Sequence, residues 1–282
     1  MVPRALTIAG SDSGGGAGIQ ADLKAFARCG VHGMTAITAI TVQNTLEVRA
    51  VAAVAPEVIV GQVLAVAEDI GVDAVKVGML GDVATIGAVA SALRQLPEGT
   101  PVVVDPVMVA ESGAVLLDDA ARQAIVDELL PLAAVITPNL PEARVLAAGA
   151  GTGGDDAEAL ARALHGLGPR AVVVTGGHRD EATDVFFDGE QLHLIPGERH
   201  ADGAAHGSGC THSSALAAHL ALGFSPLEAA RRAREVAGNA VRDGLRSIGE
   251  GAGPVDVFDL TGSARERAFG ASARSPATRR VT

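Results

Sequence analysis

The sequence Gly203-Ala-Ala-His-Gly-Ser-Gly-Cys-Thr-His-Ser-Ser-Ala-Leu-Ala-Ala-His-Leu-Ala-Leu-Gly223 joins a glycine-rich turn to a helix. The turn contains Gly207-Ser208-Gly209, and the residues that follow predict a helix over about Cys210–Leu222. Such a turn directs free backbone N–H groups at one point, where the helix dipole adds partial positive charge. Cys210 lies in the first helical turn, a position that lowers the pKa of a thiol and favours the thiolate. The stretch therefore predicts an anion site with a candidate base, although a lone Gly-x-Gly is more typical of an ordinary helix start beside a buried cysteine.

Composition limits the classes of function. The 282 residues suit one large α/β domain or two small ones, and the absence of Trp and Tyr makes base-stacking platforms unexpected. The net charge of −11 argues against a nucleic-acid partner or an anionic membrane surface. Cys29 and Cys210 do not make a disulfide framework, and neither a signal-peptide segment nor a membrane-spanning apolar run is recognisable. We therefore expect a cytoplasmic protein.

Lysine is scarce, since Lys24 and Lys76 are the only two in the chain. If this acidic protein binds phosphates, no lysine cluster can neutralise them. Backbone N–H groups, a few arginines and a divalent cation must then carry that charge.

The N-terminal part begins with an apolar strand over residues 5–9, a loop over Gly10–Gly18 and a helix over residues 19–28. The loop is a candidate ligand loop, but it matches neither a P-loop nor a dinucleotide fingerprint. Asp22, within the helix, is typical of a solvated helix face. Thr and apolar residues alternate over 34–42 and predict a strand that ends at Gln43.

Short apolar strands alternate with helices along the rest of the chain. This alternation predicts an α/β fold with three layers, α/β/α, and a mostly parallel central sheet. Parallel sheets bind ligands at the carboxyl ends of their strands, and here polar residues follow several strands: Asp105, Asn139 with Glu142, and Thr175. We expect a single domain over residues 1–262 and a disordered, arginine-containing tail over 263–282.

Two carboxylates in this set suit a metal. Asp105 and Glu142 are hard oxygen ligands of the kind Mg²⁺ takes, one or two at a time, together with phosphates. Each also has an ordinary interpretation, Asp105 as a loop cap and Glu142 as a partner of the helix dipole. Combined with the glycine anion site, the pair favours phosphoryl transfer.

Taken together, these motifs resemble those of the hydroxymethylpyrimidine/phosphomethylpyrimidine kinases, which are thiamine-biosynthesis enzymes of the ribokinase-like superfamily. The resemblance spans about residues 5–250 in the family's order. Its matching stretches are Ile8–Lys24, Thr38–Thr45, Val75–Leu80, Val104–Ala110, Thr137–Glu142, Gly176–His178 and His206–Thr211.

The resemblance implies ATP-dependent phosphorylation of the pyrimidine's hydroxymethyl group and then of the resulting monophosphate. It implies that Gln43 hydrogen-bonds the aminopyrimidine, and that the pocket around it is lined by Gly10, Asp22, Met79 and Val107. Residues Gly207, Ser208, Gly209 and Cys210 would form the anion hole, with Cys210 as base or substrate contact where related sugar kinases have Asp.

The same resemblance implies the remaining ligand contacts. Asp105 and Glu142 would organise Mg²⁺, partly through water, while Asn139, Thr175 and His206 would bind the nucleotide. A homodimer is also implied.

Three positions depart from the family's usual pattern. Thr175 replaces a Lys before Gly-Gly-His, Glu111 stands where Lys is common, and His212 replaces an apolar residue. The first two changes remove positive charge near the expected phosphates.

Other functions compete with this interpretation. A pyridoxal kinase of the same superfamily shares the Gly-x-Gly-Cys element, but such enzymes often carry a second cysteine where this chain has Ala110. A non-catalytic pyrimidine or nucleotide sensor is supported only by the missing lysine. A nicotinamide dehydrogenase is disfavoured because the dinucleotide fingerprint is not found.

Overall fold

Strands and helices alternate along the residues that the computed structural model describes, which are 1–109, 113, 117–148, 156–176, 182–200, 203–260 and 262. The strands are β1 (Arg4–Asp12), β2 (His32–Gln43), β3 (Val48–Ala53), β4 (Ala74–Val77), β5 (Val102–Val104), β6 (Val135–Ile136), β7 (Val172–Val174), β8 (Asp184–Phe187) and β9 (Leu192–Ile195). The helices are α1 (Gly18–Arg28), α2 (Pro56–Asp69), α3 (Val83–Leu93), α4 (Asp119–Ala124), α5 (Leu140–Ala147), α6 (Ala157–His165), α7 (Ser208–Ala221) and α8 (Pro226–Arg242).

All nine strands form one sheet in the order β3-β2-β1-β4-β5-β6-β7-β8-β9. The six neighbouring strands β2, β1, β4, β5, β6 and β7 pair in parallel. Strand β3 at one edge and strands β8 and β9 at the other are antiparallel. The chain leaves β1 towards β2 and later returns to the other side of β1 with β4. This reversal is the topological switch point at which open α/β sheets bind ligands.

Helices cover both faces of the sheet. Helices α1, α7 and α8 pack on one face, and helices α2 to α6 pack on the other. Strand β4 illustrates how the sequence sorts the two faces, because Val75 and Val77 join the core under α2 to α6 while Ala74 joins the core under α7. By the same period of two, Lys76 faces α7.

The predicted three-layer α/β/α fold with a mostly parallel sheet is confirmed, and most element boundaries agree within a few residues. Helix α4 leaves α geometry after Ala124, and the chain continues as a π turn (Ile125–Leu129) and a 3₁₀ turn (Leu130–Leu132). Pro131 lacks the N–H that a continuing α-helix needs. Helix α7 begins at Ser208, two residues before the predicted start.

Two further expectations from the sequence concern the C-terminal tail and membrane-spanning segments. The predicted tail over 263–282 lies outside the described residues. Among the helices that are described, none combines the length and apolar character needed to cross a bilayer.

Candidate active site

A cavity of about 460 Å³ opens at the carboxyl ends of the parallel strands. Its wall includes residues that follow β1, β2, β4, β5, β6 and β7, and it is closed on one side by the start of α7. The volume lies in the range of small-molecule sites, and the location is the one expected for an open α/β sheet.

Nearly all the residues that the sequence singled out line this cavity. They are Gly10, Gln43, Met79, Asp105, Val107, Asn139, Glu142, Thr175, His206, Gly207, Ser208, Gly209 and Cys210. Shared location does not test their individual roles, which stay predictions.

Asp22 is the exception: its side chain does not line this cavity, and its role at the substrate stays a prediction. The side chain is fully buried behind Lys76, whose Nζ lies 2.9 Å from Asp22 Oδ1. Thr7 Oγ1 donates to Asp22 Oδ2 at 2.6 Å, and Ser214 Oγ donates to Oδ1 at 2.7 Å. Asp22 is therefore not on a solvated helix face either, because α1 turns it inward to balance a buried lysine.

Lys76 forms the charged floor of the site. It is fully buried in β4, lines the cavity, and also lies 4.0 Å from Asp105 Oδ2. Burial alone would lower the pKa of Lys76, but the neighbouring charge of Asp22, together with that of Asp105, raises it above the ordinary value. The ammonium therefore stays charged beneath the expected reaction centre.

Lys76→Met is expected to lower the free energy of unfolding by about 3–5 kcal/mol, because the buried carboxylate of Asp22 would lose its cation. Chemical denaturation measures the change. Lys24→Met is the matched control, since Lys24 is half-buried and, among the described residues, its Nζ donates only to the Gly15 carbonyl. An equal loss in both variants would contradict a special role for the Lys76–Asp22 pair.

Helix α7 delivers Cys210 to the cavity in its first turn. Gly207 precedes the helix with φ of +84°, and a Cβ at this position would overlap the Gly16 carbonyl, so the close approach to the β1–α1 loop requires glycine. The N–H groups of Gly209 and Cys210 bond to no described residue, as expected of donors at an open helix start.

The expectation of a thiolate at Cys210 is corrected by its surroundings. Burial raises the pKa of Cys210 to about 12, and the carboxylates of Asp22 and Asp105 add to the rise although Lys76 opposes it. The position at a helix start favours the thiolate, but desolvation between two acidic groups outweighs that effect. At neutral pH the ligand-free site therefore holds a thiol.

This raised pKa predicts how Cys210 reacts. In a Cys29→Ser background, the rate of Cys210 alkylation by iodoacetamide should rise about tenfold per pH unit from pH 7 to 10, because only the thiolate reacts. The labelled peptide, quantified by mass spectrometry, gives the rate. A plateau below pH 9 would contradict the raised pKa.

The two candidate metal ligands face the same space. Asp105 is buried and accepts a hydrogen bond from Ser213 Oγ at 2.9 Å, and Glu142 is buried at the start of α5. Burial raises the pKa of Glu142 to about 8, with a further contribution from the charge of Asp105. Burial likewise raises the pKa of Asp105, although Lys76 acts against it. Two buried carboxylates that repel each other fit a site for a divalent cation.

The ordinary interpretation of Glu142 also applies. Asn139 and Glu142 form a reciprocal capping box, in which Glu142 accepts from the Asn139 N–H and Asn139 accepts from the Glu142 N–H, both at 2.9 Å. No group of three His, Cys, Asp or Glu residues in the described chain is arranged as a metal site. The fit is thus to Mg²⁺ completed by water and phosphate, which needs only one or two carboxylates.

The three residues expected at the nucleotide separate into two places. Asn139 and Thr175 are paired across the ends of β6 and β7. His206 instead lies against the β1–α1 loop, with Nε2 3.3 Å from Asp12 Oδ2, and its ring fills the space that Gly16 leaves open.

Asp12 is a site residue that sequence reasoning missed. It accepts hydrogen bonds from the N–H groups of Gly14 at 2.8 Å, Gly16 at 3.0 Å and Ala17 at 2.8 Å. His206 and these N–H groups overcome the effect of burial and lower the pKa of Asp12. These three backbone donors of the loop are therefore satisfied by its own aspartate. The sequence Asp-Ser-Gly-Gly is typical of such a turn.

A second missed group lies between α7 and β8. His212 lines the cavity beside Asp184 and Arg234, and the sequence offered only the signal that His212 stands where an apolar residue is usual. Of the loop positions noted above, Ala110, Glu111 and His178 lie outside the described residues.

Comparison with known proteins gives a consistent result. The sequence model of the family described as Phosphomethylpyrimidine kinase matches residues 12–256. The hydroxymethylpyrimidine/phosphomethylpyrimidine kinase of Rhizobium meliloti (strain 1021) is 50% identical over 263 residues, covering 92% of this chain and 98% of that protein.

Solved structures also resemble most of the chain. An ADP complex of Bacillus subtilis pyridoxal kinase has a TM-score of 0.83 at 39% identity and covers 93% of this chain and 99% of its own. The phosphomethylpyrimidine kinase of Clostridium difficile 630 has a TM-score of 0.72 at 40% identity and covers 83% of this chain and 96% of its own. By sequence, by fold and by the residues gathered in its cavity, the chain belongs to the phosphomethylpyrimidine kinase family.

Proposed function

We propose that the chain is an ATP-dependent kinase acting in thiamine biosynthesis. It phosphorylates the hydroxymethyl group of 4-amino-5-hydroxymethyl-2-methylpyrimidine and then converts the monophosphate to the diphosphate. One observation carries the proposal: the open start of α7, the Cys210 thiol and the buried carboxylates of Asp105 and Glu142 share one cavity. That combination supplies anion binding, a hydroxyl contact and cation ligands together, which is what phosphoryl transfer requires of a protein.

The pyrimidine occupies the side of the cavity formed by β1, β2 and the residue after β4. Gln43 presents an amide that can both donate and accept, matching the amino group and ring nitrogen of the pyrimidine. Met79 packs where Gly10 has no side chain, and with Val107 it provides apolar surface for the ring.

The nucleotide occupies the opposite side, beside Asn139 and Thr175. Asp105 and Glu142 would hold Mg²⁺ there, partly through water, and the ion would supply positive charge to the phosphates. His206 contacts Asp12 and so fixes the β1–α1 loop, and its contact with the nucleotide stays a prediction.

Cys210 acts on the hydroxyl that receives the phosphoryl group. The charge of Lys76 acts on its sulfur and favours the thiolate, against the larger effect of burial. With a pKa of about 12 the thiol is a poor base in the ligand-free site. Its role is therefore to orient the hydroxyl. It accepts the hydroxyl proton only in its minor thiolate form, and a loose phosphoryl-transfer transition state, in which that proton leaves late, permits this.

Coupled measurement of ADP release tests the proposal. The purified protein with MgATP is offered 4-amino-5-hydroxymethyl-2-methylpyrimidine, its monophosphate and pyridoxal, each over a range of concentrations. The proposal predicts turnover of both pyrimidines with a higher kcat/KM than that of pyridoxal. Turnover of pyridoxal alone would overturn it, and turnover of none would favour a sensor.

A pyridoxal kinase is the second candidate function, favoured by the high structural similarity to the Bacillus subtilis pyridoxal kinase. The same assay distinguishes the two, because it measures both substrate classes under one condition.

We also propose that the chain forms a homodimer through the β2–β3 edge of the sheet. Ile40, Val42 and Val51 are 54%, 54% and 52% exposed there, and an exposed apolar edge is a typical association surface. Sedimentation at micromolar concentration should give twice the chain mass of 28.2 kDa. A monomer would contradict this assignment.

A further inference from the structure

Helix α7 turns a buried imidazole towards the cavity two residues after Cys210. His212 is 4% exposed and lines the cavity. Its Nε2 lies 3.2 Å from Asp184 Oδ2, an ion-pair distance without the alignment of a full hydrogen bond. Its Nδ1 is buried and has no hydrogen-bond partner in the described part of the chain. Buried polar atoms in folded proteins are nearly always paired, so an unpaired one in a cavity wall calls for a partner, such as a water, an ion or a ligand, that enters the cavity.

Asp184 is held rigidly on its other oxygen. Oδ1 accepts the Gly176 N–H at 2.8 Å and lies 3.8 Å from Arg234 Nη1. Burial would raise the pKa of Asp184, but the contact with His212 leads the interactions that lower it, and the carboxylate stays ionised. Asp184 therefore orients His212 through Nε2 and leaves Nδ1 for another partner.

These contacts tie His212 to the end of β7. Gly176 directly follows Thr175, so the Asp184 carboxylate that orients His212 also fixes the backbone beside Thr175. On the other side His212 lies close enough to Asp105 for its charge to act on that carboxylate. His212 is thus coupled electrostatically to Asp105, one of the proposed cation ligands, and through Asp184 to the strand end at Thr175, which provides no charge.

We propose that His212 binds an oxygen of the nucleotide's terminal phosphates through Nδ1, and so replaces the positive charge that Thr175 does not supply. An imidazole with a carboxylate at one nitrogen and a phosphate oxygen at the other donates from both, which is its cationic form. Arg234, which lines the same wall and pairs with Asp184, reinforces the positive potential. The inference rests on the proposed kinase function, but only on its use of nucleotide.

Nucleotide binding tests this without any hydroxyl substrate. Titration calorimetry with MgADP and with AMP is carried out on the wild type and on His212→Leu. The variant should bind MgADP about 10- to 100-fold more weakly, as expected for the loss of one charge-assisted hydrogen bond. Its affinity for AMP, which lacks the terminal phosphate, should change less than about twofold. Equal losses for the two nucleotides, or no loss for MgADP, would overturn the proposal.

A second pair of variants separates charge from packing. Thr175→Lys in the His212→Leu background should restore MgADP affinity to within about threefold of the wild type, since a lysine there supplies the missing cation. His212→Gln keeps a hydrogen-bond donor and covers the case in which leucine beside Asp184 prevents folding. This variant should keep more of the wild-type MgADP affinity than a variant without a donor, while its AMP affinity stays close to that of the wild type. Failure of Thr175→Lys to improve binding would overturn the replacement of charge.

The results of these binding experiments can be told apart from a failure of the proposed kinase function. If pyridoxal proves to be the substrate, MgADP binding still depends on His212. If the protein binds no nucleotide, the kinase proposal itself is wrong.

Discussion

Cys210→Ala is expected to lower kcat about 10²- to 10⁴-fold, the usual effect of removing a group that handles the reacting proton. The affinity for the aminopyrimidine should change less than about threefold, because Gln43, Met79 and the wall of the cavity stay in place. The thiol is the side chain that α7 brings to the point where its free N–H groups converge. Initial rates and equilibrium binding, measured on the same preparation, separate the two effects.

Cys29→Ala is the matched control for this experiment. Cys29 is the other cysteine, half-buried at the end of α1 and outside the cavity wall, so its removal should leave kcat unchanged. Loss of binding and turnover in parallel for Cys210→Ala would mean that Cys210 shapes the pocket rather than acting on the hydroxyl.

Gly207→Ala is expected to reduce kcat/KM about a hundredfold or more, the scale associated with losing one donor from an anion hole. The residue has φ of +84°, and a Cβ would overlap the Gly16 carbonyl, so the start of α7 must move. The strain should also lower the free energy of unfolding by about 1–3 kcal/mol. Steady-state kinetics and denaturation measure the two quantities.

Gly209→Ala is the structural control, because a Cβ there has no atom within 4 Å. Its free energy of unfolding should change by less than about 1 kcal/mol, and an increase is expected where alanine replaces glycine in a helix. Equal destabilisation in the two variants would show that the contact with Gly16 does not matter.

The fold was predictable from local patterns because each strand and helix carries its own signal. The alternation of apolar runs with amphipathic stretches gave the sheet and its two helical layers, and the polar residues after Val104, Ile136 and Val174 located the cavity. These signals depend only on neighbouring residues, so a single sequence contains them.

Long-range pairs were not predictable in this way. Lys76 stands between two valines in the sequence, but only the folded chain brings Asp22, 54 positions away, to its ammonium. The contact between His212 and Asp184 was unpredictable for the same reason, since the local sequence around each residue does not indicate its partner.

The ionisation of Cys210 shows a different limit. Its position in the first turn of a helix predicted a lowered pKa, and that local effect is real. Desolvation and the two nearby carboxylates depend on the packing of α1, α7 and β5, and they reverse the direction to a pKa of about 12.

The order of products formed from MgATP and 4-amino-5-hydroxymethyl-2-methylpyrimidine tests the central claim most directly. Phosphorus NMR of the reaction over time should show the monophosphate appear first and then decline as the diphosphate accumulates, with both steps lost together in Cys210→Ala. Formation of neither pyrimidine phosphate by the wild type, under conditions in which it phosphorylates pyridoxal, would contradict the account.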